Sequence, residues 1–279
     1  MANAHTSLKS LCIDIANAIR EQTGGTDLIK ADNFPNIIRS MSFSSLPNFI
    51  YSGAHHLVKE DESGTNWHIE LLSTGTLTFS STPPAMEIFL CAGGQVGGTG
   101  VNNTYTATTY TGGNGGDGGG TLYSALSGIQ AGTEYQMDIG GSGGNTIAFK
   151  DTSIALTAVS GEGSNGGTGV SRGTATAGTD GVYAFNDASF YIKAFDATGY
   201  KFGAGGGGAG GTYVEHFQYG ANESGNGAAG GASGGGKGGG ANQTATAGAA
   251  NSGGGGGGGK NLEAGEAGGS GIIIIRNVR

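Results

Sequence analysis

The sequence predicts a mainly β and irregular fold in three parts. These are a small N-terminal helical module, a β-hairpin connector, and a glycine-rich domain of packed polyglycine II helices with short β-strands. Three observations lead to this prediction. Glycine makes up 62 of the 279 residues, long glycine tracts such as 253–259 lead towards apolar runs such as 272–275, and the hydrophobic period changes along the chain.

The glycine tracts need a stabilising interaction that side chains cannot supply. Each glycine loses roughly 0.5–1 kcal/mol more than alanine in backbone entropy on folding. A bare backbone can be approached closely from all sides, so direct hydrogen bonding between extended segments is the natural compensation. Polyproline II geometry fits, because it has about three residues per turn and no internal hydrogen bonds. The strict Gly-X-Y repeat of collagen is missing from the sequence, and the interleaved apolar strands disfavour a flexible coil.

Residues 1–44 predict two short amphipathic helices. Apolar residues recur every three or four positions between Ser7 and Gln22, and Gly24 and Gly25 end the pattern. Pro35 suits the first turn of the second helix. A module of roughly 35 residues is too small to be stable alone, so its apolar faces should pack against a partner or a copy of itself. The residues expected at that attachment contact are Leu8, Leu11, Ile15, Ile19, Phe34, Ile37 and Ile38.

Residues 45–84 change to the two-residue period of β-strands. Apolar residues alternate over 67–71, Gly75 falls in a turn, and alternation resumes over 77–79, which predicts a hairpin. A second hairpin is predicted from the alternation over 122–126 and 135–139. Further apolar strands are predicted at Met86–Cys91, Ile154–Val159 and Ile272–Ile275.

Segments of another composition interrupt the glycine tracts and are predicted to be loops at the tract ends. Nearly all the remaining aromatic residues lie in some of these segments, where they can either pack over the tract ends or bind a partner by stacking. The segments are 99–111, 168–179, 182–202, 212–223 and 241–252. The candidate binding residues are Tyr105, Tyr110, Tyr213, His216, Phe217 and Tyr219.

Composition and motifs argue against several function classes. A net charge of −8 without a basic patch argues against a nucleic-acid partner. The string from Gly254 to Lys260 resembles a phosphate loop, but Asn261 stands where Ser or Thr would bind magnesium. His55 and His56 are interpreted as surface residues in a polar turn, because no nearby acidic residue or cysteine completes a metal site. We therefore expect a non-catalytic protein with no cofactor and no metal.

The two cysteines and the N-terminus bear on localisation. Cys12 and Cys91 are interpreted as buried small apolar residues in a reducing compartment, without a disulfide between them. The first residues lack the basic head and apolar core of a signal peptide, and no apolar stretch approaches 18 residues. We expect synthesis in the cytoplasm and no membrane insertion.

Several strings resemble a known family. AMEIFLCAGG, GYKFGAGGGGAGG and EAGGSGIIIIRNVR are similar to the glycine-rich domain of tail fibre and receptor-binding proteins of tailed bacteriophages. LKSLCIDIANAIREQTGGTDLIKADNFPNIIRSM resembles a helical leader of phage and prophage tail proteins. It differs from the attachment domain of long-tail-fibre tip adhesins, which leaves the docking partner open.

The resemblance implies an adhesin in the virion tail, made in the host cytoplasm. Residues 1–44 would attach to tail or baseplate proteins, residues 45–84 would connect, and residues 85–279 would display loops to a host cell-surface glycan or outer-surface protein. The alternative is a purely structural tail or baseplate component that contacts other virion subunits. Tail fibres are often homotrimers, whereas polyglycine lattices can close within one chain, and both arrangements remain open.

Overall fold

The computed structural model of the chain describes Asn17 and residues 46–62, 64–102, 108–171, 173–214, 223–224 and 226–278. Over these residues the protein is mainly β, with several small antiparallel sheets and almost no helix. Asn17 is the one described residue of the predicted helical module, so the module and its attachment residues lie outside the described part.

The described strands are short, and two single 3-10 turns lie among them at Ala184–Asn186 and Lys193–Phe195. The strands are β1 (Phe49–Tyr51), β2 (His55–Lys59), β3 (Trp67–Leu71), β4 (Gly75–Phe79), β5 (Met86–Cys91), β6 (Val101–Asn102), β7 (Thr108–Thr111), β8 (Thr121–Leu126), β9 (Glu134–Asp138), β10 (Thr146–Lys150), β11 (Leu156–Ala158), β12 (Val182–Tyr183), β13 (Tyr191–Ile192), β14 (Ala197–Thr198), β15 (Lys201–Phe202), β16 (Thr212–Val214), β17 (Glu223–Ser224) and β18 (Ile272–Asn277).

Two five-stranded antiparallel sheets enclose the main core. The first has the order β1-β4-β9-β10-β11 and the second has the order β2-β3-β18-β5-β8. Alternate residues of each strand point to opposite faces, so Trp67, Ile69 and Leu71 from the second sheet pack with Leu77 and Phe79 from the first. All five side chains are fully buried, and burial of each contributes about 1.5–3 kcal/mol.

The strands predicted in residues 67–79 are confirmed, but the hairpin between them is wrong. β3 pairs with β2 and β18, whereas β4 pairs with β1 and β9. The second predicted hairpin is wrong in the same way, because β8 pairs with β5 and β9 pairs with β4 and β10. Both connections cross from one sheet to the other. A period of two identifies the buried face of a strand, but strands in opposite sheets bury their inward residues in the same core.

Strand β18 is buried on both faces. Ile273 and Ile275 point into the main core, while Ile272 and Ile274 point into a second core on the outer face of their sheet. Residues 182–202, predicted to be a loop, cover this second core with two short two-stranded sheets. The buried aromatic residues that pack there are Phe89, Phe185, Phe190 and Phe202. Cys91, predicted to be buried, lies fully buried with a free thiol in the same core, and burial raises its pKa.

The glycine tracts hydrogen-bond directly to one another through their backbones, with a three-residue repeat. In the central tract, residues 253–259, Gly255 and Gly258 donate to tract 203–211, and Gly256 and Gly259 donate to tract 92–100. A third tract, 243–249, accepts from Gly257. Carbonyl groups of the central tract accept from three further tracts, 112–120, 234–240 and 263–271. The tracts together form what we call the lattice.

The centre of the lattice has no room for side chains. A Cβ atom built on Gly255, Gly256 or Gly257 would lie far closer to a neighbouring carbonyl oxygen than the 3.0 Å that real Cβ atoms keep. Gly253 has a positive φ of 65° and its Cβ would overlap the Cys91 thiol. Residues 252–259 are buried throughout.

The rim of the lattice carries side chains, and here two predicted loops are corrected. Residues 174–178 and 244–248 both read Thr-Ala-Thr-Ala-Gly and hydrogen-bond as outer tracts. In each, the middle threonine hydroxyl accepts a neighbouring backbone N–H, Thr176 from Thr168 at 2.6 Å and Thr246 from Lys237 at 2.8 Å. An outer tract has an open side, so threonine and alanine fit where the central tract requires glycine.

We expect Gly256→Val to lower the free energy of unfolding by about 3 kcal/mol or more, because the new side chain must displace the backbone at Glu266. Chemical denaturation would measure the loss. Gly141→Ala is the matched control, since its Cβ would meet nothing within 4 Å. Equal stability of Gly256→Val and wild type would contradict the close packing of the tracts.

Candidate functional site

The tracts run back and forth along one axis, so successive turns alternate between two ends of the lattice. At one end β5 leads into tract 92–100, and tract 263–271 leads into β18. We call the opposite end the distal end. The described turns and strands that lie there belong to residues 100–112, 170–174, 210–226, 239–243 and 259–263.

A four-stranded antiparallel sheet of order β17-β16-β7-β6 forms part of the distal end. It brings together two of the segments singled out by their aromatic residues, since Tyr213 pairs with Thr109 and Val214 pairs with Thr108. In this register the end of β16 lies beside the start of β7. Residues 103–107 and 215–222 therefore join the described chain at the same edge of the sheet.

The predicted binding residues have different outcomes. Tyr110 lies in β7, opposite Asn102 of β6, and is half-buried. Tyr213 lies in β16. Tyr105, His216, Phe217 and Tyr219 lie outside the described residues, although their described chain neighbours belong to the four-stranded sheet.

Sequence reasoning missed the turn at residues 260–262. Leu262 is 60% exposed and Val101 is 51% exposed, and the Gly100 N–H donates to the Glu263 carbonyl, which places both at the distal end. Lys260 and Glu263 lie 4.0 Å apart across the turn. The signal was available in the tract lengths, because tracts of similar length that reverse direction place every second turn at the same end.

The opposite extremity of the molecule is the end of the sandwich that faces away from the lattice, which we call the base. It comprises residues 46–48, 79–86, 126–132 and 277–278. Backbone hydrogen bonds hold it together, from Ser80 to Asn48, from Gly132 to Phe79 and from Val278 to Ala85. Chain entry at Leu46 and the distal end are thus separated by the sandwich and the lattice.

A buried polar cluster ties the second sheet to its cover. The His68 ring nitrogens lie 2.7 Å from a Glu60 oxygen and 3.1 Å from a Glu70 oxygen, the arrangement in which an imidazolium donates two hydrogen bonds. Glu70 also accepts from the backbone N–H groups of Lys193 at 2.5 Å and Ala194 at 2.8 Å. His68 and Glu70 are fully buried.

Hydrogen bonding dominates the electrostatics of this cluster. Burial alone raises the pKa of Glu70, but hydrogen bonds from His68, His56 and Lys193 outweigh it, so the pKa lies below its ordinary value. His56, predicted to lie in a surface turn, is on β2, and its Nδ1 lies 3.1 Å from Glu70. The cluster joins β2 and β3 to the 3-10 turn at Lys193–Phe195.

Arg276, on the same outer face of the second sheet, also meets the cover. Its guanidinium pairs with Glu87 at 2.8 Å and lies 4.0 Å from the centre of the Phe185 ring. A cation over an aromatic face contributes about 0.5–2 kcal/mol, depending on solvent exposure. The charged groups of this face are thus engaged in holding residues 182–202 in place.

Two searches of the described residues bear on cofactors and membranes. No group of three or more His, Cys, Asp and Glu side chains among them is arranged to hold a metal ion. None of the helices in that part of the chain combines the length and the apolar character needed to cross a membrane. In the string that resembles a phosphate loop, Gly254–Gly259 are buried inside the lattice and a further tract follows the turn at 260–262.

Comparison with known proteins gives one match. A family model described as a glycine-rich domain matches residues 72–277, from the end of β3 to the last residue of β18. No curated protein matches the chain.

The Glu70 cluster predicts a pH dependence of stability. At neutral pH, Glu70→Gln should lower the free energy of unfolding by about 2–4 kcal/mol, because a neutral amide cannot balance the imidazolium. A carboxylate with a lowered pKa stabilises the fold above its unfolded pKa and stops doing so as the pH falls through its folded pKa. The difference between the two proteins should therefore shrink below about pH 4.

Urea unfolding between pH 3 and 7 would measure this difference. Glu134→Gln, an exposed carboxylate on β9, controls for the loss of a charge. A Glu70→Gln difference that stays constant across the whole range would contradict the role given to the carboxylate.

The register of the distal sheet predicts a cross-link. In a Cys12→Ser background, Thr108→Cys combined with Val214→Cys should form a disulfide on mild oxidation, because the two residues are direct partners and antiparallel partners have Cα atoms about 4.5–5.5 Å apart. Peptide mass spectrometry would identify it. Val101→Cys with Val214→Cys is the control, since β7 lies between their strands. A cross-link in the control alone would show that the register is wrong.

Proposed function

The chain belongs to the glycine-rich domain family, and on this basis we propose that it is a tail fibre or tail tip adhesin of a tailed bacteriophage or prophage. In this proposal the distal end binds a host surface receptor. The carrying observation is the juxtaposition in one sheet of two aromatic-bearing segments, β6–β7 and β16–β17, at the end of the lattice remote from chain entry.

The lattice is proposed to consist of polyglycine II helices. Its support is the three-residue hydrogen-bond repeat, which matches the threefold turn of polyproline II geometry. Three directions of bonding per turn also account for the six tracts bonded to residues 253–259. At about 3.1 Å per residue, a tract such as 93–100 would hold the distal end about 20 Å from the sandwich.

The two ends of the molecule suit two different tasks. Residues 1–44 precede the base, so we propose that they attach the protein to tail or baseplate proteins. Residues 45–84 contribute β1–β4 to the sandwich and would connect the attachment module to the lattice. Residues 85–279 would carry recognition. An attachment point at one end leaves the other end free to meet a cell.

The chemistry of the distal end favours a glycan or an outer-surface protein as the receptor. Tyrosine, phenylalanine and histidine offer stacking surfaces for sugar rings and apolar edges, and a net charge of −8 disfavours nucleic acid. Val101 and Leu262 add exposed apolar area at the same end. Binding of this kind needs no catalytic group and no cofactor.

Substitution of Tyr213, Phe217 and Tyr219 by Ser should weaken adsorption of the purified protein to host cells, because loss of hot-spot aromatic contacts costs about 2 kcal/mol or more. The melting temperature should move by only a few degrees. A binding assay on a panel of candidate host cells, with calorimetry of the same samples, would measure both quantities.

Tyr183→Ser is the control, since this half-buried tyrosine lies in the cover of the second sheet and not at the distal end. A collapse of the melting temperature with normal binding by the remaining folded protein would mean that the three rings stabilise the lattice end. Binding of the wild type to virion proteins but to no cell would favour the purely structural component.

A further inference from the structure

The base carries an apolar groove with no occupant among the described residues. Its first part has a volume of about 350 Å³ and is lined by Leu46, Pro47, Phe79, Pro83 and Pro84, among others. Around Thr82 to Pro84 it joins a second part of about 200 Å³, which continues past Met86 to Leu126 and Ile129. The two parts form one elongated depression across the end of the sandwich.

The groove opens directly onto the main core. Phe79 and Met86 at its floor belong to that core, and Leu46 and Leu126 pack against its edge. The strands β5, β8 and β18 all end at the base, so no further layer from the described chain closes this end. A segment that filled the groove would extend the core by one layer.

We propose that the groove receives the apolar face of residues 34–41 of the same chain. Phe34, Ile37, Ile38 and Met41 recur at the three- and four-residue spacing of one helix face. The stripe needs an apolar partner, because a two-helix module of roughly 35 residues cannot bury its own faces. The groove offers that partner at the point where the described chain begins.

Chain length commits the groove to this occupant. Met41 is five residues before Leu46, which lines the groove, and five residues span at most about 18 Å. The apolar stripe therefore stays near the base. A tether this short gives an effective concentration in the millimolar range, well above that of a second copy at micromolar concentration.

Docking would divide the work between the two predicted helices. The second helix would complete the base of the sandwich, and the first helix would keep its stripe of Leu8, Leu11, Ile15 and Ile19 available for the attachment partner. This inference stands whether or not the distal end binds a host cell.

Hydrogen exchange on the full chain tests the docking. Ile38→Asp should speed amide exchange in residues 79–86 and 126–130 by about tenfold, because a carboxylate on the apolar stripe prevents docking. Thr82→Trp should speed exchange in residues 30–45 to a similar degree, since Thr82 is exposed and borders both parts of the groove. Asn36→Asp, on the opposite side of the predicted helix, should change neither region.

The outcomes separate the occupants. Acceleration in both variants, independent of protein concentration, supports docking of the chain on itself. Protection of the groove that increases with concentration, together with a dimer in analytical ultracentrifugation, would assign the groove to a second copy and overturn the proposal. Wild-type exchange in both variants would overturn it as well.

Discussion

The arrangement of the whole molecule depends on how closely carbonyl oxygens approach the Cα atoms of residues 253–259. Hydrogen bonds leave this tract in three directions and arrive from three others, and a Cβ at its centre would overlap a neighbouring backbone. Only glycine meets that steric condition. The hydrogen bonds stabilise the lattice in place of apolar burial, which offsets the backbone entropy that glycine loses on folding. Side chains return only at the rim, where a tract has an open side.

Strand β18 couples this lattice to a conventional core. Its four isoleucines are fully buried, two on each face, and the tract that precedes it belongs to the lattice. The cover over its outer face is held by groups that would be costly to bury alone, Glu70 with His68 and Arg276 with Glu87. Each is compensated by a partner, so apolar packing and charge pairing act together on the same sheet.

The sequence predicts the strands of this fold better than their neighbours. Met86–Cys91 and the isoleucine run are identified by composition, and the alternation at residues 67–79 identifies the buried faces. The predicted hairpins fail because alternation does not say which sheet a strand joins. Residues 174–178 and 244–248 resemble loops because threonine and alanine are atypical of a glycine lattice, yet they form its rim. Of the candidate site, Tyr110 and Tyr213 are placed, while the turn at Leu262 was identified only from the order of the tracts in space.

The position of β18 also sets the timing of folding during synthesis. β18 lies between β3 and β5, but β5 ends at residue 91 and β18 begins at residue 272. At about 5–20 residues per second on the ribosome, β3 and β5 wait about 10–40 s for the strand that joins them. During this interval the apolar strands have no partner on one edge, and the central tract is also still being made. Nascent chains therefore expose aggregation-prone edges until late in translation, and chaperones that shield such edges should bind them then.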